Sequence, residues 1–312
     1  MIAFLILCHN DPNHIARLAN KLVNNRNNDV YIHVDNKCNI KEFKEKIKSE
    51  NVYFIDDRVD VYWGGYSSVE ATMKLIECSF NKKSYDRYVL LQGLDYPLWS
   101  MERIEKFFDE NKQVEFIRGC NVSRSKDKYF YEKVKCYWFY DRINIFKKVI
   151  NKLNRIFSIK IRNGYIDLNN RRYDIYWGSA QWALTGNAIK YILDFYKSKH
   201  KFNNYFKHVF PADETYFNTI IFNSHFRTKT INKGEEREKR GLVNWRNLHY
   251  FEYGECIRVF NDNDLEEVLK LEEMFIRKVT SNESSILLDS IDKNQLSCYS
   301  SHTKYWHKKF LK

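Results

Sequence analysis

Proline and glycine are scarce in this sequence of 312 residues, numbering 3 and 10, and no Ser/Gly/Pro-rich stretch or long run of like charge interrupts it. Flexible linkers are made of such segments, so one continuous domain over 1–312 is expected. Long hydrophobic runs are missing as well. The first apolar stretch, Ile2 to Cys8, gives way to His9 and Asp11, whereas a signal peptide needs a basic start, a longer apolar region and a small-residue cleavage site. Nothing approaches the ~20 apolar residues that cross a bilayer. The seven cysteines (Cys8, Cys38, Cys78, Cys120, Cys136, Cys256, Cys298) are odd in number and scattered, with no CxxC pair. Neither a disulfide framework nor a zinc site is expected, and a reducing, cytoplasmic setting is.

What the sequence does have is apolar content, rings and positive charge. With 44% hydrophobic residues it can fill a core, and its net charge of +12 favours polyanionic partners: nucleic acid, an anionic membrane face or a diphosphate substrate. Aromatic residues make up 16%, and their faces stack on nucleobases and sugar rings alike.

The first third alternates strand and helix signals. Ile2–Cys8 reads as a buried strand, Asn10 or Asp11 can cap a helix from Pro12, and Val30–Val34 reads as a second strand. A short helix over 41–48, a strand at Val52–Ile55, a helix over Ser67–Phe80 and a strand at Tyr88–Gln92 follow. This rhythm predicts right-handed βαβ units, hence an α/β fold with a mostly parallel central sheet flanked by helices. Ligands of such sheets sit beyond the carboxyl ends of the strands, which points to His9, Asp35, Asp56, Asp57 and Asp95.

Residues 124–172 form the most basic stretch, with 14 Lys/Arg against four acids. Within it Ile143, Phe146, Val149, Ile150, Leu153 and Phe157 recur at helical spacing between Lys147, Lys148, Lys152 and Arg155. This basic amphipathic helix either packs its apolar stripe on the core or rests on an anionic membrane face. Further on, an apolar block at 175–185, helices at 187–198 and 211–222, and a final helix over 264–279 capped by Asp262 or Asp264 are expected.

Two acids, Asp213 and Glu214, stand at the predicted start of the 211–222 helix. There Asp213 can cap free amides while Glu214 projects into the cleft, where a carboxylate beside a sugar hydroxyl can take its proton. Trp177-Gly178-Ser179-Ala180-Gln181-Trp182 combines small residues with two indoles that suit a pyranose ring, so Trp177, Ser179 and Trp182 join Asp95 as sugar-binding candidates. The single Asp-x-Asp string, Asp262-Asn263-Asp264, opens a helix rather than closing a strand, so no metal is expected. Arg258 and Lys278 are then the candidates for neutralising a diphosphate.

Seven strings in order resemble the core-2/I-branching β-1,6-N-acetylglucosaminyltransferase family, which includes the peptide O-xylosyltransferases. They are Ile2-Ala3-Phe4 through Cys8-His9, Tyr31–Asp35, Tyr62–Val69, Leu91–Pro97, Trp177–Ala180, Asp213-Glu214 and Phe275–Lys278. The resemblance implies a GT-A type glycosyltransferase fold without the metal-binding Asp-x-Asp, a UDP-sugar donor and inversion to a β-linkage. The nucleotide-sugar half would be 1–110 and the acceptor and catalytic half 111–312. Residue by residue it implies Glu214 as base, Asp35 and Trp63 at the uridine, Lys278 at the diphosphate with Arg258 or its rival Arg246, Cys8 and His9 on the donor side, and Glu115 on the sugars. Animal members carry a membrane anchor and disulfides; a bacterial relative that builds surface polysaccharide in the cytosol, on an acceptor that can be lipid-linked, is the expectation here. The donor would be GlcNAc first, with xylose or glucose as alternatives. A non-catalytic sugar- or nucleic-acid-binding protein is the competing reading, though acids at the strand ends would repel nucleic-acid phosphates.

Overall fold

The computed structural model describes residues 1–23 and 28–297; Cys298 lies outside them. Strands β1 (Ile2–Cys8), β2 (Asp29–Val34), β3 (Val52–Phe54) and β4 (Arg87–Gln92) run parallel, and β1 sits between β2 and β4. The continuous apolar run of β1 is explained by burial on both faces. Ala3 and Leu5 point into one core cluster while Ile2, Phe4, Ile6 and Cys8 point into another, the period of two of a central strand. Helix α1 (Pro12–Val23) starts where expected, with Asp11 accepting the His14 amide at 3.0 Å. The 41–48 helix is shorter, α2 (Ile40–Lys44), and α3 (Ser67–Lys82) packs on β1 and β2.

Beyond β5 (Asp95–Pro97) and α4 (Met101–Glu110) the chain makes β6 (Cys120–Asn121), α5 (Lys128–Lys135), α6 (Ile145–Phe157) and a hairpin of β7 (Tyr165–Leu168) and β8 (Arg171–Asp174). The 175–185 block divides into β9 (Tyr176–Trp177), paired with β6, and β10 (Ala183–Thr185), which joins β4 antiparallel and completes the order β10-β4-β1-β2-β3. Helices α7 (Gly186–Ser198), α8 (His200–Phe206) and α9 (Tyr216–Phe222) follow. A second sheet sets β12 (Phe275–Arg277) between β11 (His249–Tyr250) and β5.

Three expectations are corrected. The helix at 211–222 begins only at Tyr216, so Asp213 and Glu214 lie in the turn before it, and no side chain caps it. The final helix over 264–279 reduces to a 3-10 turn at Asp262–Asp264 and α10 (Leu265–Val268), capped by Asn261 with Asp264 completing the capping box. Its apolar end forms β12 instead, because a short apolar run takes whichever backbone its neighbours can pair, and Asp95–Pro97 offers a free strand edge. Third, the apolar stripe of α6 does not pack on the core. Asn151 and Asn154 are its buried residues, bonded to the backbone of Phe139 and Tyr137 at 2.6–3.0 Å, while the stripe faces outward.

The segment leading into α6 is anchored by Asp141, whose carboxylate accepts the Tyr66 amide (2.8 Å), the Ser67 amide (3.2 Å) and the Ser67 hydroxyl (2.6 Å) at the start of α3. A carboxylate on otherwise unpaired amino-terminal amides is favoured by hydrogen bonding and the helix dipole together. Replacing Asp141 by Ala should lower unfolding stability by about 1–2 kcal/mol. A urea midpoint indistinguishable from the parent chain's would refute this role.

Candidate active site

The turn Phe210–Glu214 is gripped from both sides. On one side the Ala212 amide donates to the Gly64 carbonyl at 3.2 Å; on the other the Gly178 amide donates to the Glu214 carbonyl at 3.0 Å. Gly178 is required sterically, since a Cβ there would stand 2.0 Å from the Arg118 carbonyl oxygen. Gly64 adopts φ +71°, and a Cβ would fall 2.3 Å from the Phe210 ring. Two cis peptide bonds, Phe210–Pro211 and Arg277–Lys278, adjoin the site.

Glu214 is partly accessible. Its Oε2 accepts the Trp177 indole N–H at 2.7 Å. Lys133 of α5 lies 5.1 Å from the centre of the Trp177 ring and 4.7 Å from that of Tyr129. Burial pushes the Glu214 carboxyl up to about 7, the positive charge of Lys133 and the indole N–H opposing it and the neighbouring Asp213 adding to it. Asp213 is itself raised by burial, against its backbone amides and Arg277. Lys133, correspondingly, is lowered by burial and supported by Glu214.

Arg277, whose charge acts on Asp213, belongs to a buried ion pair. Asp95 is fully buried and accepts Arg277 Nη1 at 3.2 Å, the Gln92 amide at 2.7 Å and His249 Nε2 at 3.1 Å. Burial alone would raise its carboxyl, but Arg277 and His249 hold it below the usual carboxylate range. Arg277 also reaches the Gln92 side-chain oxygen. Next in the chain, Lys278 is lowered by burial and by Arg277. Its backbone pairs with that of Arg258, and an open cavity of about 670 Å3 there is lined by Arg246, Glu252, Tyr253, Cys256 and Arg258.

A third group follows β2. Asp35 accepts the amides of Lys37 (3.0 Å) and Val61 (3.4 Å) and pairs with Lys37 Nζ at 3.0 Å. The Lys37 ammonium sits 4.3 Å from the Tyr62 ring centre. Trp63 is 74% exposed and packs edgewise on Phe210, so this group meets the Glu214 turn directly.

A sequence model of the Core-2/I-Branching enzyme matches residues 2–269. The chain belongs to the Core-2/I-branching enzyme family. Members are glycosyltransferases, and the mainly parallel α/β architecture agrees with the GT-A type expected from the sequence. No curated protein matches the chain. Among solved structures, one described as a glucose-1-phosphate thymidylyltransferase from Bacillus anthracis in complex with a sucrose aligns over 62% of this chain and 74% of its own. Its identity is 12% and its TM-score 0.28, too loose a likeness to carry any argument.

For this family member the structure joins Glu214 to Trp177 by a hydrogen bond and sets Trp63 against Phe210 of the same turn, while the other candidates have surroundings of their own. Asp95 is too buried to touch a sugar and instead positions Arg277. Trp177, 1% exposed, offers its N–H to Glu214 rather than its face to a pyranose, and Trp182 is core against Phe217. Ser179 is buried and donates to Gln181 at 2.6 Å. Cys8 is buried at the end of β1 with its thiol pushed up by burial, while His9 is exposed beside it. Glu115 lies at the opposite end of the sheet, bonded to Thr185 and facing Arg87 in a cavity of about 1010 Å3 at the amino ends of β1 and β4. Arg258 is engaged by Glu252, Asp264 and Glu267. Sequence reasoning missed Lys133, which carried no spacing signal, and gave Arg277 no role although it adjoins Lys278.

Lys133 favours the charged form of Glu214, so removing its ammonium must raise the carboxyl further. In a Lys133→Met variant the Glu214 titration, followed by carboxyl carbon NMR, should move to higher pH than the parent's midpoint near 7. An unmoved midpoint would exclude electrostatic support from Lys133.

Proposed function

We propose that this enzyme is an inverting, metal-independent transferase that moves a sugar from a UDP-sugar to a hydroxyl of a glycan acceptor in β-linkage. GlcNAc is the first candidate for the sugar, xylose and glucose the alternatives. The observation that carries the reading is the environment of Glu214. A partly accessible carboxyl pushed up to about 7 by burial is basic enough to take a hydroxyl proton and still exchanges its own near neutral pH. In one displacement the acceptor oxygen attacks the anomeric carbon, its proton passes to Glu214, and the bond to UDP breaks with its electron pair staying on the diphosphate.

Asp35 and the exposed ring of Trp63 are the proposed uridine contacts, the ring by stacking. Lys278 is the proposed diphosphate ligand. Its arginine partner is better sought in Arg246 than in Arg258, since Arg246 binds the Phe251 carbonyl and, among the described residues, has no carboxylate within ion-pair distance. The metal-free reading draws support from the Asp-x-Asp string: Asp264 is engaged by Arg258 and the Asn261 amide, and Asp262 by the Leu287 amide at 2.8 Å. Bacterial surface polysaccharide, built on the cytosolic side of the membrane, is the proposed setting.

Glu214→Gln keeps the shape and removes the basicity, so it should cut kcat at least ~10²-fold while UDP-sugar binding and melting temperature hold. Asp213→Asn should retain transfer and move the acid limb of the kcat profile to lower pH, because the Asp213 charge raises Glu214. Near-parental transfer by Glu214→Gln would refute the mechanism.

Transfer should also persist in EDTA, and Lys278→Ala should lower kcat/KM by ~10²-fold or more through loss of charge at the leaving diphosphate. Abolition by EDTA with rescue by Mn²⁺ would overturn the metal-free part.

A further inference from the structure

We propose that the outward face of α6 is a docking surface for an anionic lipid bilayer. An amphipathic helix on a folded body normally turns its apolar side inward. This one does the reverse: Asn151 and Asn154 hold it to the Tyr137–Phe139 backbone, and Ile145 (69% exposed), Phe146 (76%) and Phe157 (67%) lie in solvent together with Val149, Leu153 and Ile156. At about 100° per residue Ile145, Val149, Leu153 and Ile156 fall on the side opposite Asn151 and Asn154, with Phe146 and Phe157 along its edge. Ile159 and Ile161 extend the exposed apolar surface beyond the helix end. A contiguous patch of this kind marks an interaction surface rather than ordinary scatter.

Charge identifies the occupant. Between Asp141 and Asp167 the chain carries seven Lys/Arg (142, 147, 148, 152, 155, 160, 162) and no acid. On the helix Lys148, Lys152 and Arg155 line one border of the apolar face, where their stems can lie along it while the cationic ends reach phosphates. A bilayer interface with anionic headgroups satisfies both features at once. A second copy of the chain would oppose this cationic border with its own.

The helix is tied to the candidate site. Asp141 caps α3 beside Trp63, and Tyr140 stacks on Phe210 with ring centres 4.0 Å apart. Docking would therefore hold the Glu214 turn next to the lipid surface, where an acceptor carried on a lipid would be presented. That consequence rests on the transferase reading; the docking does not.

The full chain should co-sediment with sucrose-loaded vesicles of phosphatidylglycerol and phosphatidylcholine, and at least ~10-fold less with phosphatidylcholine alone or when salt is raised from about 0.1 M to about 1 M. A Phe146→Ser/Val149→Ser/Phe157→Ser variant and a Lys148→Gln/Lys152→Gln/Lys160→Gln variant should each lose at least ~10-fold in vesicle binding. Circular dichroism and melting temperature should stay unchanged, because all six side chains are exposed. Parental chain left in the supernatant with anionic vesicles, or either variant sedimenting like the parent, overturns the proposal. So does a parental dimer, seen by light scattering, that the serine variant converts to monomer while neither binds vesicles, since that assigns the face to a second copy. None of these readouts uses sugar transfer, so failure here and failure of the Glu214 mechanism are separate results.

Discussion

Five residues, Phe210 to Glu214, are clamped between two backbones that can approach only because they carry glycine. Gly64 receives the Ala212 amide and lies against the Phe210 ring; Gly178 donates to the Glu214 carbonyl and lies against Arg118. The clamp fixes the backbone at the acid on both sides, and the Trp177 indole then fixes the carboxylate. Positioning of that quality matters because a base displaced by an ångström loses much of its effect.

Around the clamp, charge is arranged in two tiers. The lower tier is closed: Asp95 is buried between Arg277 and His249, which hold its carboxyl below the usual range against the upward push of burial. The upper tier is open, and Glu214 with Lys133 only partly offsets the burial of the carboxyl. One tier uses full compensation to make a rigid floor; the other uses partial compensation to keep a proton exchangeable near neutrality. Arg277 links them, bonded to Asp95 and felt by Asp213.

The parallel sheet was legible because its strands are buried on both faces and therefore read as unbroken apolar runs; Ile2–Cys8 and Tyr88–Gln92 needed no long-range information. Strand β12 was not, because Phe275–Arg277 becomes a strand only by pairing with residues some 180 positions earlier. Glu214 and Trp177 stood out in separate strings of the sequence, and one hydrogen bond joins them. The role of Trp177 was misread because an indole has both a face and an N–H, and only burial decides which is on offer. Asp95 was misread for a related reason: an acid near a strand end reads the same whether it opens to ligand or closes on an arginine. The stripe on α6 was plain in the sequence, yet its direction was set by two asparagines that no periodicity singles out.

The Asp95–Arg277 pair also bears on how the chain is made. Its partners are 182 residues apart, so during synthesis the carboxylate emerges from the ribosome long before its guanidinium. Until then the parallel sheet can collect its strands, but burying Asp95 would strand an uncompensated charge, which proteins tolerate poorly. Strand β10 imposes an earlier checkpoint, since β4 keeps a bare edge until residue 183 arrives. Maturation of the region around Glu214 thus has to wait until Arg277 has been made, and a ribosome that stalls before it releases a sheet without its ion pair.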